Sequence, residues 1–278
     1  MKVPKSLEAL VRDGLVDEVI RPLKSGKEAA VYVVLSEGAV RCAKVYKEAN
    51  KRGFHKQVLY REGRTVRNSR QARAMEKGTR FGRKEQEEVW QNAEVDALYR
   101  LAAAGVRVPQ PYHFLEGVLL MELITDEDGV AAPRLNDLDL NGELALQYHD
   151  QLIREVVKML CAGLVHGDLS EFNVLVDAQG PVIIDLPQAI DAAANNHAPR
   201  MLERDVGNLA LYFGQFAPEL LATSYGKEIW HLYESGKLTP ESKLTGHFKG
   251  RNLEADLESI LREINDARDE ALARKHVD

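Results

Sequence analysis

His166-Gly167-Asp168-Leu169-Ser170-Glu171-Phe172-Asn173 sets an aspartate five residues before an asparagine, and Val182-Ile183-Ile184-Asp185 sets a second aspartate twelve residues beyond that asparagine. Phosphoryl transfer asks little of a protein except positioning and charge. One carboxylate accepts a hydroxyl proton, while an amide oxygen and a second carboxylate hold the cation that neutralises the phosphates. Those three groups occur here in that order, with the strand-like run Val174-Leu175-Val176 between them. Taken alone, the segment also reads as a polar turn between two buried strands, with Asp168 and Asn173 as turn formers.

Upstream, Lys44 stands in Cys42-Ala43-Lys44-Val45-Tyr46, an otherwise apolar run. A lysine alternating with apolar neighbours usually marks the exposed face of a strand. A strand lysine reaching toward nucleotide phosphates explains it better beside the Asp168 segment. Such a lysine needs an anion to hold it, and Glu94 near the middle of the next helix is the candidate. Ser25-Gly26-Lys27-Glu28-Ala29 lies between the first two strands, where a phosphate loop belongs. It matches neither Gly-x-Gly-x-x-Gly nor a Walker loop. By itself it is an ordinary turn whose hydroxyl, amides and Lys27 are suited to phosphate.

The pattern along the chain predicts a short helix from Ser6 to Arg12, capped by Ser6 and stopped at Gly14. Strands follow at Val16–Leu23, Ala29–Leu35 and Ala39–Tyr46, an antiparallel meander. Glu85–Ala104 is the clearest helix, with Val89, Ala93, Ala97, Leu98 and Leu101 at helical spacing. Tyr112–Glu116 and Val118–Ile124 read as a hairpin about Glu116-Gly117. Leu144–Ala162, Ala198–Phe213 and Leu253–Arg274 read as helices. A β-rich first part, residues 1–124, therefore precedes a mainly helical second part, residues 125–278.

Composition excludes little: 45% apolar and 29% charged residues are ordinary for a globular chain. The first residues lack the apolar core of a secretory signal, and no run approaches the length of a membrane span, so a cytoplasmic protein is expected. Cys42 and Cys161 read as two reduced core thiols. The net charge of -6 conceals an asymmetry: residues 44–84 hold fourteen Lys/Arg against three Asp/Glu. Such a block suits a phosphate-rich partner such as RNA, or it is simply a solvated loop. Arg61, Arg64, Arg67, Arg70 and Arg73 recur every third residue, a stripe that winds around a helix rather than facing one way.

In its motifs the chain resembles the RIO family of atypical serine/threonine protein kinases. The matching pieces are Ser25-Gly26-Lys27-Glu28-Ala29, Ala43-Lys44-Val45-Tyr46-Lys47, Trp90 with Glu94, His166 to Asn173, Ile184-Asp185 and Glu203-Arg204-Asp205-Val206. The resemblance implies an α+β, two-lobed protein-kinase-like fold. Its β-rich N-lobe carries one large helix and a basic flexible insertion at 47–84. Its short helical C-lobe lacks a standard activation segment, since Leu186-Pro187 follows Asp185 where Phe-Gly would stand. It implies ATP with magnesium, or manganese in its place. Asp168 would be the catalytic base, and Asn173 and Asp185 would hold the metal. Asp185 would also be a candidate to accept phosphate, which gives it a catalytic role. Lys44 with Glu94, and Ser25 with Lys27, would hold the ATP phosphates. Met121, Glu122, Leu123 and Ile124 would form the hinge under the adenine.

Three functions are compatible with these residues. The first is a RIO-type serine/threonine kinase or ATPase acting on a protein or on itself. The second is a nucleotide-switched module docking RNA or ribosomal particles through residues 47–84, and the third a small-molecule phosphotransferase.

Overall fold

The computed structural model of the chain describes residues 3–26, 29–47 and 80–248, with side chains for all of these except 80–90. Lys27, residues 48–79 of the basic insertion and the expected helix at 253–274 lie outside the described residues. The first turn is a 3-10 helix, Lys5–Leu7, running into helix α1, Glu8–Arg12. The expected Ser6 cap does not form, because Ser6 is itself inside the 3-10 turn and the capping positions fall on Pro4 and Leu7. Leu7 and Leu10 are fully buried and join Val16, Val19 and Val34 in a small core. Gly14, at φ +72°, takes the left-handed turn that ends the segment.

Strands β1 (Glu18–Ser25), β2 (Ala29–Ser36), β3 (Ala39–Tyr46), β4 (Pro111–Leu115) and β5 (Val118–Glu122) form one antiparallel sheet in the order β1-β2-β3-β5-β4. Two hairpins turn on Glu37-Gly38 and Glu116-Gly117, and all four residues have positive φ. That geometry matches the twist of the flanking strands and favours glycine second. Helix α2, Arg80–Ala103, spans the gap between β3 and β4 and begins five residues earlier than its apolar spacing suggests.

The second part holds helix α3, Gly142–Cys161, whose Asn141 cap accepts the Leu144 N–H at 2.8 Å. Strand pairs β6 (Leu164–Val165) with β9 (Ile190–Asp191), and β7 (Val174–Asp177) with β8 (Gly180–Ile183), follow. Helix α4 is Ala198–Phe213 and α5 is Tyr225–Glu234. In α4, Met201, Leu202, Asp205, Val206, Leu209 and Phe213 are buried at the three-and-four spacing of one helix face. The main core runs from α2 through α3 and α4. Cys42 is buried, but Cys161 is exposed. Cys161 is the last residue of α3, so it escapes the packing that its apolar neighbours suggested.

Arg107, just beyond α2, fastens the two parts together. Its N–H donates to Glu155 Oε2 at 2.8 Å, and its carbonyl accepts the Ile183 N–H at 2.8 Å. Its guanidinium donates to both carboxylate oxygens of Asp177 at 2.7 and 2.6 Å. The architecture is the two-lobed, kinase-like α+β arrangement that the motifs implied. Only residues 186–197 separate Asp185 from α4, and their strand is the two-residue β9.

Candidate active site

Register decides where Lys44 points. In β3 it lies opposite Val31 on β2 and Leu119 on β5. Its Nζ donates to Glu94 Oε1 at 2.5 Å and to Asp185 Oδ1 at 3.2 Å. The Lys44 and Glu94 side chains are 14% and 8% exposed, whereas Asp185 is 47% exposed. The inner pair is therefore sealed and the outer carboxylate faces open space. Burial alone would lower the Lys44 pKa, but Glu94, and more weakly Asp185, more than offset it, so the ammonium is held above its ordinary range.

Asp185 follows β8 with φ +66°. The other described non-glycine residues at positive φ, Glu37 and Glu116, sit in hairpin turns; Asp185 does not. Left-handed backbone costs a non-glycine residue about 1–2 kcal/mol, and here the twist turns the carboxylate toward Lys44. Antiparallel pairing of β7 with β8 sets Val174 opposite Ile183. Asn173, just before β7, and Asp185, just after β8, thus share one end of the hairpin. The Asn173 carbonyl accepts the Ile184 N–H at 2.9 Å.

The loop from His166 to Asn173 is pinned from several sides. The His166 Nδ1 accepts the Asp168 N–H at 3.3 Å and Nε2 donates to the Ile184 carbonyl at 3.1 Å. Those partners require the neutral tautomer protonated at Nε2. Burial lowers the His166 pKa and keeps the ring neutral, although the Ile184 bond and the nearby aspartates oppose it. One imidazole thus ties the Asp168 backbone to the residue preceding Asp185. From α4, Asp205 accepts the Gly167 N–H at 2.7 Å and the Leu169 N–H at 3.1 Å. Asn208 donates to the Leu169 carbonyl at 3.1 Å, and the Arg204 guanidinium donates to the Gly167 carbonyl. Asp205 is 1% exposed, and burial pushes its carboxyl up to about 7 despite the two amide donors and Arg204. Asn173 Nδ2 donates to the Asp168 carbonyl at 2.9 Å, so Oδ1 takes no part in that bond.

A cleft of about 620 Å³ opens between the lobes. Met121, Glu122, Leu123 and Ile124 line it, as do Lys44, Glu94 and Asp185. Lys24 from β1 and Arg134 from beyond the hinge strand also line it, as cations that sequence reading did not single out. Asp168, Asn173 and Ser25 are not among its walls. The Ser25 hydroxyl instead accepts from Lys47 Nζ at 3.0 Å, and the same ammonium donates to the Gly26 carbonyl at 2.6 Å. Lys47 thus braces the turn that Ser25 begins. Asp205, His166 and Arg107 were also unassigned in the sequence. Two of them had a signal there, His166 as the first residue of the His166–Asn173 motif and Asp205 as part of Glu203-Arg204-Asp205-Val206; Arg107 had none.

The donor set suits a nucleotide with a hard divalent cation. Apolar walls end at a lysine held in place by a buried glutamate. The Asn173 amide oxygen and the Asp185 carboxylate are two oxygen donors at one hairpin end. Magnesium is commonly held by one or two carboxylates together with substrate phosphates and waters, rather than by an all-protein cage.

Fold and site together define a protein-kinase-like protein. Residues 30–225 match the RIO domain family. The chain is 35% identical over 206 residues to the RIO-type serine/threonine-protein kinase Rio1 of Haloferax volcanii, covering 73% of this chain and 66% of that one. It is 30% identical over 216 residues to the serine/threonine-protein kinase rio1 of Schizosaccharomyces pombe, covering 73% of this chain and 40% of that one. It is 27% identical over 231 residues to the human serine/threonine-protein kinase RIO1, covering 82% and 38%. The match thus spans less than two thirds of each of these relatives. The chain belongs to the RIO domain family.

Proposed function

We propose that the chain binds ATP with a divalent cation in the cleft and transfers phosphate to a serine or threonine hydroxyl of a protein or of itself, with water as the slower acceptor. The observation that carries this reading is Lys44, held at once by Glu94 and by the open-facing Asp185. The kinase names of the relatives support the same class of reaction.

ATP would supply the transferable phosphoryl group, and Asn173 and Asp185 would hold the magnesium or manganese that offsets the phosphate charge. Lys44 supplies a fixed positive charge at the inner end of the cleft. Because Glu94 holds it in place, little reorganisation is needed when an anion arrives. Met121 to Ile124 offer an apolar edge for a base. Asp168 accepts the acceptor hydroxyl's proton on a carboxylate oxygen, while His166 and Asp205 fix its backbone. Only residues 186–197 stand where a standard activation segment would, so acceptor recognition falls to other surfaces.

Calorimetry with ATP and magnesium, together with ADP release, tests the proposal. Asp168→Ala should retain ATP affinity and lose about a hundredfold or more in turnover. Loss of ATP affinity with turnover would make Asp168 a structural or metal-linked residue instead.

A further inference from the structure

Gln188 reaches the same loop from the far side of Asp185. Its Nε2 donates to Asp168 Oδ2 at 3.1 Å. Its placement comes from the local backbone. The Ala189 N–H donates to the Leu186 carbonyl at 3.0 Å, closing a turn over Leu186-Pro187-Gln188-Ala189. Leu186 and Ala189, 2% and 8% exposed, anchor that turn in the core. An ionised carboxylate only accepts hydrogen bonds, so the carboxamide must turn its NH2 toward Asp168. The Asp168 carboxylate is exposed and has no other side-chain partner among the described residues. Without Gln188 it would be free to change rotamer, since the bonds from His166 and Asn173 hold only its backbone.

We propose that Gln188 is a positioning residue for phosphoryl transfer. By holding Oδ2, it commits Oδ1 of Asp168 to the acceptor hydroxyl. This rests on Asp168 being the base. The turn also couples the base to the Asp185 segment, because Gln188 lies three residues beyond Asp185 on the same short stretch. Misplacing a reacting group by an ångström can cost up to about a hundredfold in rate.

The test compares Gln188→Ala, Gln188→Leu and Gln188→Glu, using ATP turnover and thermal melting of the full chain. Leucine keeps bulk without a donor, and glutamate keeps shape but sets carboxylate against carboxylate. The expected result is a fall in kcat of roughly tenfold to a hundredfold for alanine and leucine, and a larger one for glutamate. The KM for ATP and the melting temperature should hold steady. In an Asp168→Ala background, Gln188→Ala should add almost nothing, since it would act only through the missing carboxylate. Full wild-type kcat in Gln188→Leu, or a fully multiplicative loss in the double variant, would overturn the proposal. If the wild type transfers no phosphate, the proposed function falls and the contact is read separately by NMR. The Gln188 side-chain amide signals should shift in Asp168→Ala, and unmoved signals would overturn the positioning role.

Discussion

Lys44→Met removes the ammonium that Glu94 and Asp185 share. Glu94, with its side chain 8% exposed, then has a nearly buried carboxylate without its cation. Breaking a buried pair by deleting one partner costs about 3–5 kcal/mol. The cleft admits water beside Asp185, so the lower end applies, about 3 kcal/mol. For a chain of this size each kcal/mol shifts melting by a few degrees, giving a drop of about 6–12 °C. Thermal and urea denaturation measure it, with ATP turnover followed in parallel. Lys44→Met combined with Glu94→Leu removes both charges and should regain most of the lost stability. Turnover should stay lost, since the positive charge is still missing. Melting of the single variant within about 1 °C of wild type would refute the claim that the pair is sealed from water.

Arg107→Ala should lower stability by about 1 kcal/mol, after discounting for its third-exposed guanidinium, and should slow turnover by loosening α2 against the second lobe. An unchanged urea midpoint would show that the backbone bonds of Arg107 suffice. Asp205, with its carboxyl raised to about 7, gains a proton in the folded state well before it would when unfolded. Its contribution to stability is full below the unfolded carboxylate range and is lost as pH rises through about 7. Protonation replaces one of the two amide acceptors with a hydroxyl, so turnover should fall as pH drops through the same window while stability rises. Asp205→Asn should abolish both trends, and a wild-type turnover flat between roughly pH 8 and 6 would count against them.

The sheet was legible because short apolar runs flank the tight Glu37-Gly38 and Glu116-Gly117 turns, and α4 because one face repeats at three and four. The pairing of Lys44 with Glu94 was suggested because a charge within an apolar strand needs a counter-charge. Helix α5 was not read, since ten residues make fewer than three turns and are short for a periodic signal. Ser6 was misread as a cap because a 3-10 turn and a cap share residue preferences. Cys161 was misplaced because helical spacing predicts a face but not where burial ends along it. Asp205 and Gln188 lie 37 and 20 residues from Asp168, and their bonds to the loop arise only from tertiary packing. Arg107 escaped for the same reason, with its partners Glu155 and Asp177 both on the other lobe.

The most direct test incubates the full chain with γ-labelled ATP and magnesium, beside Asp168→Ala. The account predicts ADP formation, with acid-stable and hydroxylamine-resistant label on serine or threonine in the wild type and none in the variant. Absence of both label and ADP, with protein substrates supplied, would contradict it.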